Sequence, residues 1–417
     1  MVTALSPHRG EVVRPESVPV TIVARQGAVE PVSLASRWPR FEQDEIDAAT
    51  DTLRSGRVNS LLHGDQTHLF EQEFAAFTGV AHAIAVANGT LALELALRAL
   101  GIGAGDEVIV PARSFFASTS AVVAVGASPV FADIDPVTQN ICPESASRMI
   151  GSRTRAVLCV HLAGLPCDMK RLASLCEGAG LFLVEDCAQA HGAAIDGRRV
   201  GSFGHMAAFS FCTDKIMSTG GEGGMVTTND HALWSRAWSY KDHGKDPDKL
   251  SAAGGGSGFR YVHDRFGSNF RLTEMQAAIG RRQLAKLPLW LQRRRANAEA
   301  LRGSLLNHPA TVIPPVPDGT EPAWYKCNIG LRPELLGRDR RVENVVEQLR
   351  ARGITCGTGS CPDMSHEAAF AGRTVRRDGD LPVAKWLGER NLMVAVDHLF
   401  DPPDMIRIAD AIRTALS

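Results

Sequence analysis

Apolar and polar positions follow no period over residues 1 to 35, where Pro7, Pro15, Pro19 and Pro31 are scattered among polar and β-branched residues. This stretch reads as an extended or poorly ordered leader. Order begins with Glu42 to Arg54, where Ile46, Ala49 and Leu53 recur at helical intervals. A loop follows, then a helix that gathers Phe70, Phe74 and Phe77 on one side as core. Strand-like and helix-like runs then alternate. Ile84 to Ala87 predicts a strand, Asn88-Gly89-Thr90 a turn and Leu91 to Leu100 a helix. Glu107 to Pro111 predicts a strand and Ala117 to Ala127 a helix of small residues. VFADIDP (130–136), AVLCVHLAG (156–164), a helix near 168–179 and the apolar run into Glu185 and Asp186 continue the series. Such alternation predicts an α/β fold with a mostly parallel sheet and helices on both faces.

Further on, Asn229 to Tyr240 reads as a helix, and a loop with a glycine-rich insert at Gly254 to Gly258 reads as a functional lid or a disordered segment. Thr273 is a good N-cap for a long helix. Beyond about residue 300 a smaller α/β unit is expected: strands at Trp324–Leu331 and Asn391–Val396, helices at Arg340–Arg352 and Pro402–Leu416. The division is therefore a leader over 1–35, a large domain over 36–300 and a small C-terminal domain over 301–417. A length of 417 residues suits two fused domains.

Charge and cysteine content narrow the classes. With 45 Lys and Arg against 46 Asp and Glu, no basic surplus points to nucleic acid. The run Arg293-Arg294-Arg295 reads as a solvated helix face. Nine cysteines without a C-x-x-C pair fit free thiols in a reducing compartment, and Cys356 and Cys361 lack the second ligand pair of a zinc site. No apolar window of signal-peptide or membrane-spanning type is present, so a cytoplasmic protein with no membrane partner and no metal is expected.

The chemistry concentrates in Phe209 to Val226, FSFCTDKIMSTGGEGGMV. Lys215 stands between a strand-like run and a glycine-dense turn, where a lysine can be desolvated and act as a nucleophile toward aldehydes. Gly220, Gly221, Gly223 and Gly224 let the backbone turn tightly and pass close to a flat ligand. Taken alone, the segment equally suits a surface lysine before a hairpin. LFLVEDCAQAHG (181–192) adds a strand ending in Asp186, with Gln189 three residues on, at the sheet edge where ligands of open α/β folds bind. A carboxylate there also suits a helix cap or a metal ligand. Pyridoxal phosphate (PLP), however, needs an acid for its ring nitrogen and a lysine for its aldehyde, and Asp186 with Lys215 supplies both. Asn88-Gly89-Thr90 opening a helix suits a phosphate or an ordinary N-cap. The GEGG turn does not form the G-x-G-x-x-G of a dinucleotide site.

In their order, ED-x-AQAHG, FSF-x(3)-K-x(4)-GGEGGMV-x-TND, VANGTLALELALRALGIGAGDEVIVPARSFFAS (86–118), VFADIDP, HLAGLPCDM (161–169) and NFRLTEMQAAIG (269–280) resemble the DegT/DnrJ/StrS-type sugar aminotransferases, over roughly residues 38 to 417. The resemblance implies a fold-type I PLP transferase that works as a homodimer with shared active sites. It implies that Lys215 binds PLP as a Schiff base and shuttles the proton, that Asp186 pairs with the ring nitrogen and that Gln189 meets the phenolic oxygen. Gly89, Thr90 and Ser210 would hold the phosphate, and Phe115, with Phe116 as rival, would stack on the ring. Asn269 would reach the partner's cofactor phosphate. Arg271 and His161 are candidate substrate contacts, with a satisfied structural role as the alternative for His161. Ser360-Cys361-Pro362 and Asp397-His398 are candidates for the pocket border. Leu61, Leu62 and His63 depart from the family's pattern in the Asn59–Gly64 loop, and Asn88 stands where relatives often have serine. L-glutamate is the implied donor and a nucleotide-linked keto-sugar the implied acceptor. A keto-cyclitol acceptor, a PLP-dependent sugar dehydratase and a non-catalytic PLP sensor are the alternatives. The lysine argues against the dehydratase, whose relatives carry histidine there.

Overall fold

Seven strands, β1 (His82–Val86), β2 (Glu107–Pro111), β3 (Ser128–Ala132), β4 (Thr154–Val160), β5 (Phe182–Asp186), β6 (Met206–Ser210) and β7 (Gly224–Thr228), build the large sheet of the computed structural model. It describes residues 34–252, 262–336 and 341–417. The leader up to Ser33 and the glycine-rich insert lie outside the described residues. Contacts group Leu34–Ser417 as one compact unit.

The large sheet runs β1-β7-β6-β5-β4-β2-β3, with the short pair Arg376–Arg377 added at the β3 edge. Only β7 runs antiparallel to its neighbours, pairing Val86 with Gly224 on one side and Ser210 with Gly224 on the other. β1 is therefore parallel to β6, and the carboxyl ends of β1, β2, β4, β5 and β6 open on the same edge. The strands are buried on both faces, as the near-continuous apolar runs of β2 and β4 anticipate.

Helix α1 (Gln43–Ser55), α2 (Gln66–Thr78), α3 (Gly89–Ala99), α4 (Ala117–Ala124) and α5 (Met169–Ala179) precede the long α6 (Glu274–Leu305). Leu95 and Leu97 of α3 share one buried core with Val108 and Val110 of β2, while Phe70 and Phe74 of α2 pack on Phe209 and Phe211. The small unit has its own core. There β8 (Thr311–Val312), β9 (Cys327–Leu331), β10 (Cys356–Gly357) and β11 (Asn391–Val394) form a sheet in the order β8-β9-β11-β10. Helices α7 (Val342–Ala351) and α8 (Pro402–Leu416) cover it together with Leu301 and Leu305 of α6. At 1.5 Å per residue the 32 residues of α6 span about 48 Å, long enough to serve both cores. Thr273 caps it through a capping box with Gln276, as its sequence implies. Among the described residues no helix is long and apolar enough to cross a membrane.

One expectation is corrected. Arg294 is not part of a solvated face: it is buried, and its Nη1 donates to the carbonyls of Trp324 at 3.1 Å and Tyr325 at 3.3 Å. Helix α1 buries Glu45 and Thr52, while Ile46 and Leu53 of its apolar spacing are exposed. The reason is Lys286 of α6, whose Nζ meets Glu42 at 2.8 Å, Asp44 at 2.6 Å and Glu45 at 3.3 Å. Burial alone would lower this ammonium's pKa, but the hydrogen bonds from Asp44 and Glu42 and the charge of Glu45 hold it well above its ordinary range.

Replacing Lys286 leaves Glu45 buried without its cation. Lys286→Met is expected to cost about 2 kcal/mol of stability, and Glu45→Gln in that background to recover part of it, as read from thermal unfolding midpoints.

Candidate active site

Each parallel strand ends in a residue that needs a different local device. After β1, Asn88 caps α3 by accepting the Leu91 amide on Oδ1 at 2.9 Å, which leaves Gly89 and Thr90 in the first helical turn. A Cβ on Gly89 would stand 2.5 Å from Ser210 Cβ, and one on Gly224 would stand 2.4 Å from the Asn88 carbonyl oxygen. The two glycines thus bring the helix start against the end of β6. After β2, Phe115 is 65% exposed and lines the cavity, whereas Phe116 turns to the core against Phe370 at 6.0 Å. That separates the two rivals by position.

The end of β5 carries Asp186, 5% exposed, whose Oδ2 accepts the Ser118 hydroxyl at 2.8 Å and whose Oδ1 accepts the Ala188 amide at 3.1 Å. Burial raises its pKa, against the opposing effect of the Ser118 and Ala188 bonds and the Lys215 charge. Gln189 accepts the Ala163 amide on Oε1 at 2.6 Å and lines the cavity, and that bond leaves its amide nitrogen unused. Beyond β6 the Lys215 loop is tied down by Ser218 N–H donating to Gln283 Oε1 at 2.7 Å and by Phe211 N–H donating to the Gly223 carbonyl at 2.8 Å. Lys215 Nζ lies 3.6 Å from Asp214 Oδ1 and 5.0 Å from the centre of the Tyr325 ring.

These residues line a single cavity of about 630 Å³ with Gly89, Thr90, Phe115, Asp186, Gln189, Ser210 and Lys215 on one wall. The other wall comes from the small unit: Tyr325, Lys326, Gly359, Ser360 and Met393. Of these the sequence reading reached only Ser360. Tyr325 donates its hydroxyl to Asp214 Oδ2, and Lys326 Nζ lies 3.8 Å from the same oxygen. Burial would raise the Asp214 pKa, but the charges of Lys215 and Lys326 and the Tyr325 hydroxyl lower it. Burial, then the nearby Asp214 charge, raises the Tyr325 phenol far above its usual range. Lys326 is lowered by burial, with the Lys215 charge adding to the effect.

Other candidates stand elsewhere. His161 is fully buried and does not line the cavity: Nδ1 accepts the Cys167 amide at 3.0 Å and Nε2 bonds Glu185 at 3.1 Å. A nitrogen that accepts a backbone N–H is unprotonated, so the ring is neutral and Nε2–H is the donor. With Cys187, His161 and Glu185 form a compact ligand-like trio, but the Glu185 oxygens are also taken by the amides of Gly201, Phe203 and Gly204. Burial pushes the Cys187 thiol up to about 12, which keeps it protonated. Arg271 donates to Asp242 at 2.7 Å, Asn269 is exposed, and neither lines the cavity of its own chain. Asp397 accepts the Ser36 hydroxyl and His398 stacks on Trp290 at 4.1 Å, so these two do not border the cavity.

Residues 39–413 match the DegT/DnrJ/EryC1/StrS aminotransferase family. A dTDP-3-amino-3,4,6-trideoxy-alpha-D-glucose transaminase of Streptomyces venezuelae is 37% identical over 375 residues, 89% of this chain and 93% of that protein. A UDP-N-acetyl-3-dehydro-alpha-D-glucosamine 3-aminotransferase of Acidithiobacillus ferrooxidans is 38% identical over 361 residues, 86% and 90% of the two chains. The X-ray structure of an aminotransferase from Psychrobacter cryohalolentis has 43% identity and a TM-score of 0.87, covering 91% of this chain and 98% of that one.

Because folding raises the Asp186 pKa, the folded state holds that proton more tightly than the unfolded chain does. Its contribution to stability is favourable in acid and is lost as pH rises through the folded pKa. Asp186→Asn is therefore expected to raise the melting midpoint of the ligand-free protein by about 1–3 °C near neutral pH, the gap closing in acid, by thermal scans at both pH values.

Proposed function

The chain belongs to the DegT/DnrJ/EryC1/StrS aminotransferase family, a family of PLP-dependent enzymes, and from that premise we propose that it transfers an amino group from L-glutamate to the keto group of a nucleotide-linked sugar. The observation that carries this reading is the meeting of Lys215, Asp186 and the Gly89–Thr90–Ser210 cradle in one cavity. The residues fit pyridoxal phosphate. Gly89 is pressed so close to Ser210 that a side chain would fill the cradle, Asp186 is a buried carboxyl facing the cavity, and Gln189 keeps an unused amide donor there.

Bound PLP supplies an aldehyde to take the amino group and an electron-withdrawing ring that acidifies the carbon bearing it. The chain's own residues supply the rest. Lys215 Nζ would hold the aldehyde carbon and would serve as the general base for the proton on the donor's Cα. Asp186 would keep the ring nitrogen protonated, and a cation there would turn the burial penalty of its carboxylate into an ion pair. Gln189 would donate Nε2–H to the phenolic oxygen. Amides of the α3 first turn, the Thr90 hydroxyl and Ser210 would bind the phosphate with help from the helix dipole. Phe115 would flank the ring. Asp214, held by Tyr325 and Lys326, keeps a counter-charge beside the lysine.

We assign residues 36–300 to a large cofactor-binding domain, 301–417 to a small domain and 1–35 to an extension, in a cytoplasmic enzyme. The working form is a homodimer in which Asn269 and Arg271 serve the partner's cavity. Their position away from their own cavity and the exposed Ile46, Leu53 and Leu62 support it.

Wild-type protein loaded with PLP is expected to absorb near the visible edge and to lose that band on addition of L-glutamate, with a new band in the near ultraviolet. Lys215→Ala should lack both the first band and steady turnover. A Lys215→Ala protein that still turns over would remove the lysine from the mechanism.

A further inference from the structure

Arg113 lies between β2 and the cavity-lining Ser114, and it is 1% exposed. Its Nε donates to Gln139 Oε1 at 3.1 Å and its Nη2 to the Thr358 carbonyl at 3.2 Å, while Nη1 has no partner. Both acceptors are neutral, and among the described residues no carboxylate pairs with it. The surrounding polar groups are amides: Gln139 Nε2 donates to Asn391 Oδ1 at 2.8 Å, and Asn391 Nδ2 donates to Asn328 Oδ1 at 3.2 Å and to the Thr358 carbonyl at 3.1 Å. A guanidinium buried with two acceptors for five N–H donors is costly unless something else uses its charge. Burial lowers its pKa to about 10, which still leaves it charged at neutral pH.

What lies next to the charge is the cavity. Gly359 and Ser360 form part of its wall, and a Cβ on Gly359 would stand 2.8 Å from Arg113 Nη2 and 2.8 Å from Asn391 Nδ2. Gly359 has φ +101°, a conformation suited to glycine alone, so the layer between cation and cavity is a residue without a side chain. An antiparallel bridge between Ser114 and Cys361 fastens this segment to the chain beside Arg113. The small unit's share of the wall carries no carboxylate: Tyr325, Lys326, Gly359, Ser360 and Met393. The phosphate cradle belongs to β1, at the far side of the sheet from β2.

Resting on the function proposed above, we propose that Arg113 is a specificity-determining residue that makes the Gly359–Ser360 wall the seat of the amino donor's carboxylate. An amino acid carries a carboxylate one carbon from the nitrogen it delivers, so that anion binds inside the cavity. The diphosphate of a nucleotide sugar is a sugar ring away from the ketone and lies nearer the mouth. A fully buried cation behind the wall matches the donor.

The test compares PLP-loaded wild type, Arg113→Met, Arg113→Lys and Gln139→Glu. The last places a carboxylate on Arg113 Nε with almost no change of shape, neutralising the charge even if Arg113→Met does not fold. The readouts are calorimetric binding of glutarate, a dicarboxylate with no amine, and KM and kcat for donor and acceptor separately. Arg113→Met and Gln139→Glu are expected to weaken glutarate binding and raise the L-glutamate KM by about tenfold or more, with acceptor KM unchanged and Arg113→Lys recovering most of the loss. Unchanged glutarate affinity in Gln139→Glu, or a rise confined to the acceptor KM, overturns the assignment. Glutarate binding that depends on Arg113 in a wild type inert to L-glutamate would overturn the transamination reading and leave the carboxylate seat standing.

Discussion

A carboxylate with no exposure holds the floor of the site. Glu185 collects His161 Nε2–H and the amides of Gly201, Phe203 and Gly204, and so ties β4, β5 and the turn before β6 to one point. Burial alone would raise its pKa, but the His161 hydrogen bond and the amides of Gly201 and Gly204 outweigh it and hold it below the ordinary carboxylate value. Successive strand residues point to opposite faces, so fixing Glu185 on one side aims Asp186 at the other. One acid is saturated and structural; its neighbour has two hydrogen bonds and a share of the cavity. The same burial that makes Asp186 unfavourable in the ligand-free chain equips it to hold a cationic ring.

Much of this was legible before any coordinates. Strand Glu107–Pro111 and helix Pro402–Leu416 stand where their patterns predict, because each has an unbroken period and a clear stop. The residues on the large-sheet wall were also readable, since all follow strand ends that a parallel sheet must align. The opposite wall was not. Tyr325 and Lys326 come from a segment more than a hundred residues from Lys215, and nothing local marks them as cavity residues. Their only signal was an aromatic and a cation beside a strand start, which is common.

The misreading of Arg294 and the burial of Glu45 on α1, which no pattern announced, share a cause. Periodicity assigns charged residues to solvent, yet here each buried charge has partners supplied by a distant element: Trp324 and Tyr325 carbonyls for Arg294, Lys286 for Glu45. Single-segment patterns contain no information about such partners. His161 was similarly ambiguous, because a histidine at a strand end looks the same whether it faces a ligand or, as here, the layer beneath.

Helix α6 touches both walls. Gln276 Nε2 donates to the Glu222 carbonyl at 2.7 Å, Gln283 receives the Ser218 amide, and Arg294 holds the Tyr325 carbonyl. The lysine loop and the small-unit wall therefore share one inherited frame. A chimera that borrows the C-terminal segment of a relative, joined after α6, would keep the helix of one parent and the Tyr325 strand of the other. Recombination intended to change substrate choice is better joined before Ser218, so that loop, helix and wall pass together from one lineage.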